Sequence, residues 1–180
     1  MELFTPRLTL REFRDADFSL FRELEAHPAT YYYESACPDE PAAQKYLENA
    51  QMDALQTPRI RYRFAMTIRP VDSVCGRITL SLMNPSIREW EIGWALHPDW
   101  WGRGLATEAA FRVLEFAFHE LGVHRVVAFS HAQNTASLRV MQKLGMRQEG
   151  LLRETRQWQG GWANEVVYAI LEREFIPGPA

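Results

Sequence analysis

The sequence predicts a single mixed α/β domain, and three patterns support this prediction. In some segments apolar and polar residues alternate, as in half-buried strands, and in others apolar residues recur at helical spacing. Residues 125–129 lack alternation and are typical of a strand buried on both faces between helices. The 180 residues are 47% hydrophobic, which is enough for one sizeable core. We expect the domain to cover residues 1–176, followed by a disordered tail at 177–180.

The first half of the chain predicts one strand, two helices and three more strands. In order, these are a strand at 5–13, helices at 15–27 and 41–56, and strands at 61–69, around 78–82 and at 89–97. In the strand at 61–69, Thr67 is expected to face outward, away from Phe64 and Met66. In the strand at 89–97, Glu91 is expected on the face opposite Trp90.

The second half predicts a helix, a strand, a helix and a final hairpin. In order, these are a helix between Gly104 and Gly122, a strand at 125–129, a helix from the N-cap Asn134 to Gly145, and extended segments at 146–158 and 162–175. The dipeptide Gly160-Gly161 predicts the turn of the hairpin. The whole chain therefore predicts seven strands and four helices.

Composition narrows the class of protein. Twenty Lys and Arg against 23 Asp and Glu give a net charge of -3, which predicts no binding to nucleic acid or to an anionic membrane. We expect a cytoplasmic protein, since the sequence has no signal peptide and no apolar run of membrane-spanning length. Two distant cysteines and scattered histidines predict neither a disulfide framework nor a metal site.

The clearest functional signal is Trp101-Gly102-Arg103-Gly104-Leu105-Ala106, which joins the strand at 89–97 to the following helix. Two glycines let the chain bend and let an anion approach the backbone closely. The unpaired amides and the dipole of the helix N-terminus favour a phosphate, so a pyrophosphate would fit there. Alternatively, an isolated Gly-x-Gly simply makes a tight loop.

Two other phosphate-binding motifs do not match this segment. A dinucleotide-binding Gly-x-Gly-x-x-Gly would need glycine at Thr107, and no acidic residue follows the next strand. A P-loop would need a Gly-Lys-Ser/Thr sequence, which is absent. The helix also lacks a Ser/Thr-x-x-Glu capping box, as expected if a ligand satisfies its first amides, although water is an alternative partner for them.

At this segment the chain resembles the GNAT (GCN5-related N-acetyltransferase) superfamily, whose loop reads Gln/Arg-x-x-Gly-x-Gly/Ala. Trp101 departs from that pattern at its first position. The RimJ/RimL-like branch, which acetylates the N-termini of ribosomal proteins, is more similar. Its resemblance extends over 5–11, Glu91-Ile92-Gly93-Trp94, 101–109, Asn134-Thr135-Ala136-Ser137 and 143–146. The resemblance implies a twisted mixed sheet of about seven strands flanked by about four helices.

The resemblance also implies acetyl-CoA as acyl donor, used without a metal. The residues implied in binding it are Ala95, Leu96, His97, Trp101, Gly102, Arg103, Gly104, Leu105, Ala106, Thr107, Asn134 and Ser137. The backbone of Ala95, Leu96 and His97 would bind pantetheine where two strands splay apart. Asn134 would contact the pantetheine arm, and Ser137 would lie near the thiol as an acid or hydrogen-bond donor.

Acyl transfer to an amine needs a base that removes the ammonium proton. Glu91 is our candidate, directly or through water, since it lies on the strand that leads into the loop. Glu89 and Glu34 are the alternatives. A strand glutamate is more often a solvated or ion-paired residue.

The sequence leaves the acceptor open between a protein N-terminus and a small-molecule amine. Succinyl-CoA or another acyl-CoA is an alternative donor, because the loop would bind only the pyrophosphate. A second hypothesis is a GNAT-like module that binds CoA thioesters or partners without turnover, and a third is a protein with no CoA site. The resemblance also makes a homodimer an option.

Overall fold

Helices on both faces enclose one eight-stranded sheet. A computed structural model of the chain describes residues 1–34 and 37–177. The strands are β1 Glu2–Phe4, β2 Leu8–Glu12, β3 Arg61–Ile68, β4 Ser73–Asn84, β5 Glu89–Leu96, β6 Arg125–His131, β7 Arg147–Trp158 and β8 Gly161–Leu171. The α-helices are α1 Phe18–Ala26, α2 Glu40–Ala54, α3 Leu105–His119 and α4 Thr135–Lys143. The predicted α/β class is confirmed, with eight strands in the described residues where about seven were expected.

The strands lie in the order β1-β2-β3-β4-β5-β6-β8-β7. Of the neighbouring pairs, β5 and β6 are parallel and the others are antiparallel. The parallel pairing joins Glu89–Glu91 only to Arg125–Val127. Beyond these residues the two strands diverge, which opens a gap in the middle of the sheet.

Two apolar clusters cover the two faces of the sheet. One contains Phe21 of α1 and Leu47 of α2, and the other contains Val113 of α3 and Met141 of α4. The prediction that Thr67 faces outward is wrong, because its side chain is fully buried and its hydroxyl donates to the Thr9 carbonyl at 3.1 Å. Alternation cannot distinguish a solvated face from one that helices cover.

The strand predicted at 5–13 corresponds to β2, which begins at Leu8, and a short strand that was not predicted, β1, precedes it. Residues 5–7 link β1 to β2, which pair with each other antiparallel. Thr5 stabilises the bend, since its hydroxyl accepts from Leu8 N at 2.9 Å and its amide donates to Leu8 O at 3.0 Å. A strand of three residues is too short to give a detectable alternation.

The final hairpin turns one residue earlier than predicted. Trp158 pairs with Gly161, so the two-residue loop is Gln159-Gly160, and both have positive φ (49° and 77°) as a type I′ turn requires. After β8 the chain makes a 3-10 turn at Glu172–Glu174 in place of the predicted strand end. Most of the predicted disordered tail, residues 178–180, lies outside the described residues.

Candidate active site

The link between β5 and α3 carries the glycines at positions that require them. After a 3-10 turn at Pro98–Trp100, the chain passes through Gly102 and Gly104 in left-handed conformations, with φ of 74° and 77°. Gly104 is the N-cap of α3, and no side chain among the described residues caps this helix. Residues with a Cβ rarely adopt this backbone conformation, so the loop geometry depends on both glycines.

The backbone amides of this link are free. From Gly102 to Thr107 no amide donates to an acceptor in residues 1–34 or 37–177, and Glu108 N makes the first helical bond, to Gly104 O at 3.0 Å. Six consecutive unpaired donors at the positive end of a 15-residue helix form a concentrated site for an anion. Binding of a pyrophosphate by this loop stays a prediction, for which these free amides provide the donors.

The gap between β5 and β6 exposes the backbone of Trp94 and Leu96. Backbone groups alternate in direction along a strand, and His97 N donates to Cys75 O at 2.9 Å on the β4 side. The expected role of the Ala95 and His97 backbones therefore needs correction, because both point towards β4. The His97 carbonyl is also occupied, since it accepts from Trp100 N at 2.9 Å.

Trp101 replaces the usual Gln or Arg and makes a contact of its own. Its indole Nε1 donates to the Leu96 carbonyl at 2.7 Å. The loop is thereby fixed to the end of β5. The same bond occupies the Leu96 carbonyl, which leaves the Leu96 amide as the backbone group available to a ligand.

The start of α4 lies across the gap from the loop. Asn134 is the N-cap, as predicted, and its Oδ1 accepts from Ser137 N at 3.1 Å. The half-buried Ser137 hydroxyl has no hydrogen-bond partner in the part of the chain that the structure describes. It therefore remains available to a ligand.

The loop, the diverging strands and α4 line one continuous cavity of about 1060 Å³. The predicted residues that line it are Glu91, Ala95, Leu96, Trp101, Gly102, Gly104, Leu105, Ala106, Thr107, Asn134 and Ser137. His97 and Arg103 lie outside the lining. The Arg103 guanidinium instead lies over the Trp100 ring, 4.8 Å from its centroid.

Glu91 differs from the two alternative bases in having no partner. Glu89 forms an ion pair with Arg125 at 2.6 Å, and the exposed Glu34 lies 3.7 Å from Arg156. Glu91 makes no hydrogen bond or ion pair with the described residues, although it lies in the cavity wall. Burial raises its pKa above the ordinary value, with Arg61 opposing the shift. An unpaired carboxylate of raised pKa in a cavity is suited to accept a proton.

An aromatic group packs together beside the cavity, and two of its members, Tyr33 and His131, contribute to the lining. Tyr33 stacks on Trp158, with ring centroids 5.9 Å apart, and the His131 ring lies 4.9 Å and 4.6 Å from them. Arg156 Nη1 donates to Tyr33 O at 3.0 Å, and Trp158 Nε1 donates to Tyr32 O at 2.7 Å. These contacts hold the connection between α1 and α2 against the final hairpin. No sequence spacing relates segments 125 residues apart.

His131 is a neutral, buried member of this group. Burial, and then the charge of Arg156, lower its pKa below the ordinary value. Its Nδ1 accepts from Gln133 N at 3.1 Å, so the proton of the neutral ring lies on Nε2, which has no partner among the described residues. The His131 side chain is 3% exposed.

Cys75 is unsuited to act as a nucleophile. Cys75 is buried, its thiol donates to Met66 O at 3.3 Å, and burial raises its pKa to about 12. It is therefore protonated at neutral pH. In residues 1–34 and 37–177, no three His, Cys, Asp or Glu side chains form a group suited to a metal ion. Nor does this part of the chain contain a helix long and apolar enough to cross a membrane.

Comparison with known proteins defines the class. The profile of the acetyltransferase (GNAT) domain matches residues 7–147, so the chain belongs to the GNAT family and is an N-acetyltransferase. It is 32% identical to the uncharacterized N-acetyltransferase YnaD of Bacillus subtilis, over 97% of this chain and 99% of that protein.

Two further similarities agree with this assignment. The putative ribosomal N-acetyltransferase YdaF of B. subtilis is 31% identical over 57% of this chain and 56% of its own length, in agreement with the predicted RimJ/RimL-like branch. A GNAT-family acetyltransferase structure from Bacillus anthracis superposes with a TM-score of 0.84 at 27% identity, over 97% of this chain and all of that one. The predicted GNAT fold is therefore confirmed.

Proposed function

We propose that this N-acetyltransferase moves an acetyl group from acetyl-CoA directly to a primary amine, with Glu91 as general base. The proposal rests on the observation that two features lie in the same cavity. The residues of the β5–α3 link that line the cavity have free amides, and the Glu91 carboxylate, which has no partner among the described residues, lies in the same wall. The first is suited to the pyrophosphate of CoA, and the second to an ammonium group.

The direct transfer needs one bond to form and one to break. Glu91, directly or through water, removes a proton from the ammonium group of the acceptor. The amine lone pair then forms the C–N bond at the thioester carbonyl carbon, which gives a tetrahedral intermediate. As the intermediate collapses, the C–S bond breaks and the thiolate of CoA takes a proton from the Ser137 hydroxyl. The nitrogen loses its remaining extra proton, which reaches Ser137 directly or through water, so that the amide is neutral and the hydroxyl is restored.

We assign the acceptor end of the cavity to polar and aromatic side chains from three segments, namely the α1–α2 connection, β4 and β7. These include Tyr31, Tyr33, Glu34, Arg77, Thr79 and Arg156. The residues of this surface would determine whether the acceptor is a protein N-terminus or a small amine. The donor loop does not contribute to it.

A panel screen tests the proposed function. Purified protein is incubated with acetyl-CoA or succinyl-CoA and with amines, N-terminal peptides or aminoglycosides, and the release of CoA thiol is followed. We expect acceptor-dependent release with acetyl-CoA and a product heavier by one acetyl group. Binding of CoA with no release for any acceptor would instead support the non-catalytic alternative.

Trp101→Phe is expected to weaken CoA binding about fivefold. The substitution keeps an aromatic ring but removes the bond to Leu96 O that fixes the loop, and one such bond contributes about 1 kcal/mol. Calorimetric titration with CoA measures the effect. Trp162→Phe is the matched control, since Trp162 is 64% exposed on the hairpin, away from the cavity lining. Equal affinities in the two variants would refute this role for Trp101.

Ser137→Ala is expected to lower kcat about tenfold with little change in CoA affinity. The loss is modest because a thiolate is a stable leaving group and water can also protonate it. Steady-state kinetics with an acceptor from the panel measure it, and the exposed Ser86→Ala serves as control. An unchanged kcat would remove Ser137 from the proposed chemistry.

A further inference from the structure

The short link between β1 and β2 is hydrogen-bonded to the first turn of α3. Thr5 Oγ1 donates to Glu108 Oε1 at 2.6 Å, and Arg7 N donates to the same oxygen at 3.0 Å. Arg7 Nε donates to Glu108 Oε2 at 2.7 Å, and Arg7 Nη1 donates to the Arg103 carbonyl at 2.9 Å. Four hydrogen bonds thus connect residues about 100 positions apart in the chain.

The hydrogen bonds of Thr5 and Arg7 converge on one carboxylate, that of Glu108. Glu108 has a side-chain exposure of 17%, and Thr5 is buried, with its carbonyl accepting from Arg69 Nη1 at 3.0 Å. Burial alone would raise the pKa of Glu108, but the hydrogen bonds from Thr5 and Arg7 hold it below the ordinary value. Glu108 is therefore ionised at neutral pH, and Arg7 neutralises a charge that would otherwise repel a phosphate at this helix end.

These bonds act on a segment that has few other restraints. Between Gly102 and Gly104 the backbone is held at two left-handed glycines, which are flexible in the absence of outside contacts. Arg7 fixes the Arg103 carbonyl, which belongs to the same peptide group as the Gly104 amide, so the bond also constrains the orientation of that amide. A site that is ordered before its ligand arrives loses less entropy on binding.

We propose that Thr5, Arg7 and Glu108 form a positioning clasp that holds the amide cradle in its phosphate-binding geometry. The inference rests on the proposed CoA site. None of the three residues lines the cavity, so they act through the loop and do not touch the ligand. If the clasp has this role, disrupting it will selectively weaken the binding of the pyrophosphate part of CoA.

Glu108→Gln tests the clasp with two ligands. The amide keeps the size of the side chain but removes the charge that pairs with Arg7. We expect the dissociation constant for CoA to rise about tenfold, while that for pantetheine, which lacks the pyrophosphate, changes less than about twofold. Calorimetry measures CoA directly, and competition with CoA measures pantetheine. Thr5→Val and Arg7→Met should change the ratio of the two constants in the same direction.

Glu115→Gln is the matched control, because Glu115 lies on the same helix and, within the part of the chain that the structure describes, pairs only with Arg112, at 3.2 Å. It should leave both constants unchanged. Equal weakening of CoA and pantetheine in the clasp variants, or no weakening of CoA, would overturn the inference. If Glu108→Gln fails to fold, the ratio in Thr5→Val decides. Wild-type protein that bound neither ligand would instead refute the proposed CoA site itself.

Discussion

Replacing Gly104 with valine is expected to raise the dissociation constant for CoA at least about 100-fold. Gly104 has φ of 77°, and a β-branched residue in that region is strained by about 1–3 kcal/mol, so the backbone would relax to another conformation. The amides of the link would then no longer converge on one anion. An added Cβ would also lie 3.7 Å from Arg7 Nη2, within the clasp. Calorimetric titration of the folded variant with CoA measures the loss.

Gly160→Val provides the control for backbone strain. Gly160 has the same φ of 77° in the β7–β8 turn, and no atom lies within 4 Å of its added Cβ. Both variants should lose thermal stability through the same strain, but only Gly104→Val should lose CoA binding. If the two variants bound CoA equally, the loop would have no specific part in the site.

Glu91→Gln is expected to lower kcat at least about 100-fold while CoA affinity is retained. General-base catalysis contributes about 10²–10⁴-fold, and glutamine cannot accept the ammonium proton. In the wild type, kcat/KM should rise with pH as Glu91 ionises, at a pH above the usual range of a glutamate, and this limb should be absent in the variant. Steady-state kinetics across a pH series measure both effects.

The same substitution should raise the thermal stability at neutral pH. Burial raises the pKa of Glu91 in the folded protein, so the stability contributed by its protonated form is complete below the unfolded pKa. That contribution is lost as the pH rises through the folded pKa. Glutamine remains neutral and keeps it, so the melting temperature of the variant should exceed that of the wild type at pH 7 and match it in acid.

Glu89→Gln separates the two glutamates of β5. It breaks the 2.6 Å ion pair with Arg125, so we expect lower stability and a kcat within about threefold of the wild type. A large loss of rate in Glu89→Gln together with an unchanged rate in Glu91→Gln would contradict the assignment of the base.

Local patterns in the sequence were sufficient to predict the elements that form the donor end of the cavity. Each of these elements depends on only a few neighbouring residues. They are the alternating strand β5, the uncapped start of α3 and the N-cap Asn134, and the structure contains all three. The two glycines also indicated a bend, which their positive φ values explain. The resemblance to the GNAT superfamily then assigned these elements to one predicted CoA site.

Contacts between distant segments could not be predicted in this way. Tyr33 stacks on Trp158, and Thr5 and Arg7 donate hydrogen bonds to Glu108. Both sets of contacts depend on the tertiary fold, and the periodicity of the sequence contains no information about them. The direction of the Ala95 and His97 backbones depends on which neighbour β5 pairs with. Burial of Thr67 depends on helices that cover the second face of the sheet.

The most direct test of the central claim is a crystal structure of the protein with CoA. The pyrophosphate oxygens are expected within about 2.7–3.2 Å of backbone amides between Gly102 and Thr107, with pantetheine in the gap between β5 and β6. The thiol should then lie between Ser137 and Glu91. A pyrophosphate bound elsewhere, with these amides still unpaired, would contradict the account.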